Sequence, residues 1–149
     1  MIPNSLEDVL RFAIRKEADA AAFYRMAADR SNPGVKKAFE ELAKEEEGHR
    51  KKLEGFDPKH FKKMKLEEPR SLGIAEWVED VPFGSDMSYA DLLKMAIKNE
   101  EKSERLYTAA AQSVTDSPLK KVLLLLSQEE TKHKKRLEKI YDDEVLTEF

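Results

Sequence analysis

Glu45-Glu46-Glu47-Gly48-His49, with its echo Glu129-Glu130-Thr131-Lys132-His133, is the stretch whose reading decides the fold. Each copy contains Glu-x-x-His, and together they use two of the three histidines in the chain. Residues three apart in a helix lie on one face a turn apart, so Glu46 and His49 aim a carboxylate and an imidazole at one target. Glu130 and His133 do the same. One copy in so Glu-rich a chain reads as a solvated surface pair, and two gain weight only from where they fall in the hydrophobic pattern.

Outward from the first copy, the helical stripe runs Val35, Phe39, Leu42, Glu46, His49, Leu53, Phe56. The pair therefore sits in the middle of the face that must meet a core. Asn32 is the expected N-cap with Pro33 at the first helical position, and Gly55 and Pro58 close the helix. The second copy repeats the register as Leu119, Val122, Leu126, Glu130, His133, Leu137, Ile140, after a cap-plus-proline start at Ser117-Pro118. A further helix precedes each copy. The first opens at Ser5 with Asp8, a capping box in which Asp replaces Glu, and runs to near Ser31. Its stripe is Leu6, Leu10, Ala13, Ala20, Tyr24 and Ala27, and Glu17 fills the one gap. The other opens at Ser88 with Asp91, and its stripe is Leu93, Ala96, Glu100, Tyr107, Ala110 and Val114. A carboxylate in mid-stripe is not a solvated group, because an unpaired buried charge is strongly disfavoured.

The chain is an internal duplication. Ala13-Ile14-Arg15-Lys16-Glu17 aligns with Ala96-Ile97-Lys98-Asn99-Glu100, and Phe23-Tyr24 with Leu106-Tyr107, at an offset of 83; the Glu-x-x-His pairs align at 84. The expected organisation is one all-α domain over residues 1–149, with helical hairpins at 5–55 and 88–142 joined by a crossover at 56–87. In that crossover Pro58, Pro69, Pro82, Gly73 and Gly84 break any long periodicity. It is expected to pack on the bundle through a short helix around 72–79, with Trp77 as an anchor and His60 as a connecting residue lacking a ligand partner. Helices of about 24 residues span roughly 36 Å. A link of this length can return along them and leave its flanking helices parallel. Two hairpins related by a pseudo-twofold axis then form a four-helix bundle, with Glu17, Glu46, His49, Glu100, Glu130 and His133 reaching its centre.

Composition agrees. A charged fraction of 38% with only five Gly and six Pro favours long solvated helices. The net charge is −3, with Lys and Arg in every segment, so no basic stripe marks a nucleic-acid surface. There is no cysteine, which excludes disulfides, thiolate metal sites and iron–sulfur clusters. The N-terminal residues show no basic and apolar signal pattern, and the aliphatic run 122–126 is far too short to span a bilayer, so the expectation is a cytoplasmic protein without a membrane partner.

Four carboxylates in an apolar core carry a charge of about −4, and desolvating each ion costs several kcal/mol. Two divalent cations cancel that charge. Oxygen and imidazole donors suit iron or manganese better than a structural zinc. The competing reading is a buried ion-pair network without metal.

This constellation resembles the ferritin-like di-iron carboxylate superfamily, and within it most closely the helical domain of the rubrerythrin family. The resemblance covers nearly the whole chain and implies a ferritin-like bundle holding two Fe ions, with Mn as the other candidate. It implies that Glu17 and Glu100 each supply one carboxylate, and that Glu46/His49 and Glu130/His133 supply the pairs. Tyr24 and Tyr107 resemble the tyrosines that hydrogen-bond ligand carboxylates in that family, and read equally well as core aromatics. The family also carries an extra Glu one turn after the third-helix ligand. Here Ser103 stands three residues past Glu100, and Glu104 is either a group that approaches the site or a solvated helix charge. Full-length rubrerythrins add a cysteine-ligated iron domain, for which this sequence has no cysteine.

By resemblance the expected activity is a peroxidase-type oxidoreductase acting on H₂O₂ or O₂ in oxidative-stress defence, served by a separate electron-donor protein and assembled as a homodimer. A ferroxidase or iron-handling role is the first alternative, and a purely structural metal site the second.

Overall fold

The structure, a computed structural model, describes residues 5–57 and 87–145. Four helices account for nearly all of them: α1 Leu6–Asp29, α2 Pro33–Glu54, α3 Tyr89–Gln112 and α4 Ser117–Glu144. Each start is fixed by a side chain that satisfies a backbone N–H left without an intrahelical partner. Ser5 Oγ accepts from Asp8, Asn32 Oδ1 from Val35 and Ser88 Oγ from Asp91, each at 3.1 Å. Such caps contribute about 1 kcal/mol apiece. The fourth start differs by one residue from expectation. Asp116, not Ser117, is the cap, because its carboxylate accepts from Leu119 N at 3.0 Å and draws Ser117 into the first turn. Gly55 caps α2 with φ −65°, in the right-handed region, so no left-handed turn is made there.

Short turns make α1/α2 and α3/α4 antiparallel hairpins. At one end of the bundle Arg30 Nη2 donates to Met87 O at 2.9 Å, and Asn32 Nδ2 donates to Glu144 Oε2 at 3.1 Å. The starts of α2 and α3 therefore lie at the same end, and those helices run parallel. The hairpins face each other with α1 against α3 and α2 against α4.

The core has two apolar layers. One is built around Leu6, Leu10, Leu53, Leu106, Leu119 and Leu126. The other is built around Tyr24, Phe39, Leu42, Leu93 and Leu137. The stripes are wider than two positions in seven, so Val9, Ala21 and Leu123 are buried as well, while Ala20, Val122 and Ile140 are only partly covered. Leu124 and Leu125 continue the aliphatic run onto the outer face. Phe56 packs against the first layer. The crossover beyond it, including the proposed helix around 72–79, His60 and Trp77, lies outside the described residues. Among the described residues no helix is long and apolar enough to cross a membrane.

Candidate metal centre

Between the two apolar layers lies a third that is charged. Glu17, Glu46, His49, Glu100, Glu130 and His133 are all between 1% and 5% exposed. Each stands near the middle of its helix in register with apolar neighbours, so the packing that buries the stripes also forces these side chains inward.

His49 Nδ1 lies 2.9 Å from Glu130, 3.4 Å from Glu46 and 3.5 Å from Glu17. His133 Nδ1 lies 2.8 Å from Glu46 and 3.7 Å from Glu100. The imidazoles face each other with centroids 5.4 Å apart and planes 15° from parallel. Two groups of four have one ligand atom per residue within 4.8 Å of one another: Glu17, Glu46, His49, Glu130 and Glu46, Glu100, Glu130, His133. They share Glu46 and Glu130. That sharing is the pseudo-twofold relation of the duplicated sequence expressed in three dimensions.

Electrostatics mark the layer as unfinished when only protein groups fill it. Burial, followed by the charges of Glu100 and Glu17, pushes the Glu46 carboxyl well above the usual range. Burial and the charges of Glu100, Glu46 and Glu17 do the same to Glu130. For Glu100 burial also pushes upward, but contact with Glu130 and His133 outweighs it and leaves this carboxyl lowered. Burial alone pushes His49 downward, and the carboxylates of Glu130 and Glu17 overcome it to raise the imidazole to about 9. His133 is raised likewise, by Glu100 and Glu45 against burial. By hydrogen-bond geometry Glu17 Oε2, Glu46 Oε1, Glu100 Oε2, Glu130 Oε2 and His133 Nδ1 are unsatisfied among the described residues, although Glu46 Oε1 and His133 Nδ1 lie 2.8 Å apart as an ion pair. Orphaned buried acceptors of this kind are rare and call for an explanation. Cations would supply it: these atoms converge on one place, could exchange the protons held there for metal, and are all competent ligands for a hard-to-borderline ion.

Tyr24 donates its hydroxyl to Glu100, and Tyr107 donates to Glu17 at 2.5 Å. Both bonds cross from one hairpin to the other. Burial and the charges of Glu100 and Glu17 respectively hold both phenols well above 10, so they stay protonated donors. Glu104 is not gathered into the cluster. Ser103 holds the buried position one turn past Glu100, and Glu104, one residue further round the helix, is half-buried with its backbone carbonyl taken by Thr108 and Ser127.

One contact had no signal in the sequence. Glu45, half-exposed, places Oε2 3.0 Å from His133 Nε2. A carboxylate at Nε2 fixes the proton there and leaves the Nδ1 lone pair facing the cluster. Because the contact joins opposite hairpins, no spacing along the chain reveals it. A cavity of about 160 Å³ lies between α1 and α3, reaching Tyr24, Glu46 and Glu100 on one side and exposed Asp19 on the other.

A bundle of two duplicated hairpins with a carboxylate and imidazole layer at its centre defines a ferritin-like helical protein. The sequence matches the Rubrerythrin family model over residues 8–79 and 91–148, and the chain belongs to the rubrerythrin family. Curated proteins give no match. Among solved structures, a Thermotoga maritima protein assigned as ferritin-like and diiron-carboxylate is similar at 23% identity and a TM-score of 0.71, over 92% of this chain and 94% of that one. At that identity the likeness shows the fold.

Proposed function

We propose that this chain binds two iron ions, or two manganese ions, and reduces hydrogen peroxide in oxidative-stress defence with electrons from a separate donor protein. The observation that carries this reading is the sharing of Glu46 and Glu130 by two four-residue ligand groups. In this reading Glu17 and His49 would hold one ion, Glu100 and His133 the other, and Glu46 and Glu130 would contribute to both. A reduced metal pair bound there supplies two electrons and Lewis acidity at one point, which is what cleavage of an O–O bond requires.

The protein's own contributions are positional. The hydroxyls of Tyr24 and Tyr107 hold Glu100 and Glu17 in fixed orientations. Glu45 holds His133. The apolar layers above and below keep bulk water from the carboxylates, and the cavity beside Glu46 and Glu100 gives a small oxidant access. The overall balance is one H₂O₂ with two electrons and two protons to two H₂O. A homodimer belongs to the same reading, and sedimentation checks it.

The test is to load the protein anaerobically with two equivalents of Fe(II), add one equivalent of H₂O₂ or of O₂, and follow the di-ferric absorption by stopped flow. Fast oxidation by peroxide with slow oxidation by O₂ is expected. Fast turnover of added Fe(II) with retained mineral identifies iron handling instead, and no oxidation by either oxidant leaves a structural metal site.

A further inference from the structure

The cavity beside Glu46 and Glu100 is larger than hydrogen peroxide requires. Its space of about 160 Å³ compares with an engineered apolar cavity of about 150 Å³ that holds benzene. Its existence follows from two small residues. Ala20 and Ser103 each stand three positions past a buried carboxylate, Glu17 and Glu100, and correspond under the repeat offset of 83. A long side chain at either position would fill the gap between α1 and α3, and neither has one. Lys16 and Asp19 also line it, and the remaining walls are largely apolar, from Phe23, Met95 and Ala96.

Besides the oxygens of Glu46 and Glu100 that face the metal layer, one polar atom in this lining is left over. Asn99 Oδ1 is buried and has no hydrogen-bond partner among the described residues. A buried acceptor without a donor is costly, and a bound molecule carrying one O–H would satisfy it. The cavity thus calls for an apolar body of a few carbons attached to a single hydroxyl donor, able to bring an oxygen up to Glu46 and Glu100. Hydrogen peroxide supplies the donor and leaves the apolar space unfilled.

We propose that this cavity binds short-chain alkyl hydroperoxides, with the alkyl group against Phe23, Met95 and Ala96 and the hydroperoxide O–H donating to Asn99 Oδ1. This rests on the peroxide-reducing reading above and specifies its substrate class. The reaction is ROOH with two electrons and two protons to ROH and H₂O: the O–O bond breaks, the alkyl-bearing oxygen leaves as the alcohol and the distal oxygen as water. The two electrons would be supplied by the reduced metal pair of that reading.

Two measurements test it. Ligand-observed NMR on the protein as purified, with tert-butanol as the probe, reads cavity binding without any turnover. The kcat/KM for tert-butyl hydroperoxide relative to that for H₂O₂ on iron-loaded protein reads the substrate class. Ala20→Leu and, independently, Ser103→Leu are expected to weaken tert-butanol binding and to lower that ratio by about tenfold or more, the scale on which a few added carbons change a tight apolar pocket. Met95→Ala, which enlarges the pocket, should raise the ratio for the bulkier cumene hydroperoxide. No tert-butanol binding overturns the proposal even where H₂O₂ is reduced. Binding without change in the ratio for either leucine variant overturns the substrate assignment. Failure to reduce any peroxide overturns the peroxidase reading and this inference with it, and the NMR result then separately reports whether the cavity takes an alcohol.

Discussion

Glu45 and His133 are joined across the two hairpins, carboxylate Oε2 to imidazole Nε2 at 3.0 Å. Among the described residues His49 has no such counterpart: the carboxylates within 4.0 Å of it are Glu17, Glu46 and Glu130, all on the Nδ1 side, and Glu129, which corresponds to Glu45 in the repeat, pairs with Lys132 at 3.7 Å. The two halves of the centre are thus unequal. Removing the group that orients a ligating histidine typically costs about 10- to 100-fold in metal affinity. Glu45→Ala is expected to weaken binding of one ion by that factor in a competitive chelator titration, with helicity unchanged, while Glu129→Ala leaves affinity as it was. Equal effects from both would show that the Glu45 contact does not orient His133.

Shared and unshared carboxylates should also separate. Glu46 and Glu130 each belong to both ligand groups, whereas Glu17 and Glu100 each belong to one. In iron-replete preparations, elemental analysis is expected to fall from near two metals per chain toward one for Glu17→Ala, and toward zero for Glu46→Ala. A folded Glu46→Ala protein that keeps its full complement would exclude a bridging role.

Much of this was legible because burial writes a period into the sequence. Glu17, Glu46, His49, Glu100, Glu130 and His133 interrupt apolar stripes where only packing can place them, and the 83- and 84-residue offsets tie the interruptions together. The helix starts followed from short-range caps, and the single slip, Asp116 for Ser117, arose because both residue types cap well and only the Leu119 N–H decides between them. What stayed hidden depends on contacts between hairpins. The Glu45–His133 contact, the crossing of Tyr24 to Glu100 and of Tyr107 to Glu17, and the cavity between α1 and α3 are set by how the hairpins dock, about which a period along one helix says nothing.

The tyrosine bonds carry a stability cost of their own. Tyr107→Phe leaves Glu17 Oε1 without its donor inside the core, and an unsatisfied buried acceptor costs about 1–3 kcal/mol. Thermal denaturation of metal-free protein should show that loss for Tyr107→Phe, and a similar one for Tyr24→Phe at Glu100. An unchanged midpoint would mean that water or a neighbour replaces the phenol.

Gly48 sits inside α2 beside His49, and a Cβ built there would meet nothing within 4 Å. Glycine in a helix interior is less favourable than alanine by about 0.5–1 kcal/mol. Gly48→Ala is therefore expected to raise stability by about that amount without changing metal content. A loss of metal would indicate that the centre needs α2 to flex at this point.

Metal-free protein should lose stability as pH rises from 6.5 to 9. His49 titrates near 6.5 when unfolded and at about 9 in the buried layer, so its contribution is complete below 6.5 and is lost as pH climbs through 9. The difference is worth about 3 kcal/mol at most, or roughly 6–12 °C in the melting temperature of a chain this size. His133, also raised, acts in the same direction. The raised carboxyls of Glu46 and Glu130 add to it, since their contribution is complete below about 4.5 and disappears as each gives up its proton to become a buried anion. Glu100 is lowered, so its opposite contribution is lost only as pH falls below the carboxylate range and is constant across this window. Bound cations take the places of these protons, and their affinity strengthens as pH rises because fewer protons compete. Melting curves in chelator should fall across the window while those of the metal-loaded protein hold or rise, and metal addition at pH 7 in weak buffer should release protons. A metal-free protein that grows more stable with pH would show that the buried layer does not carry these extra protons.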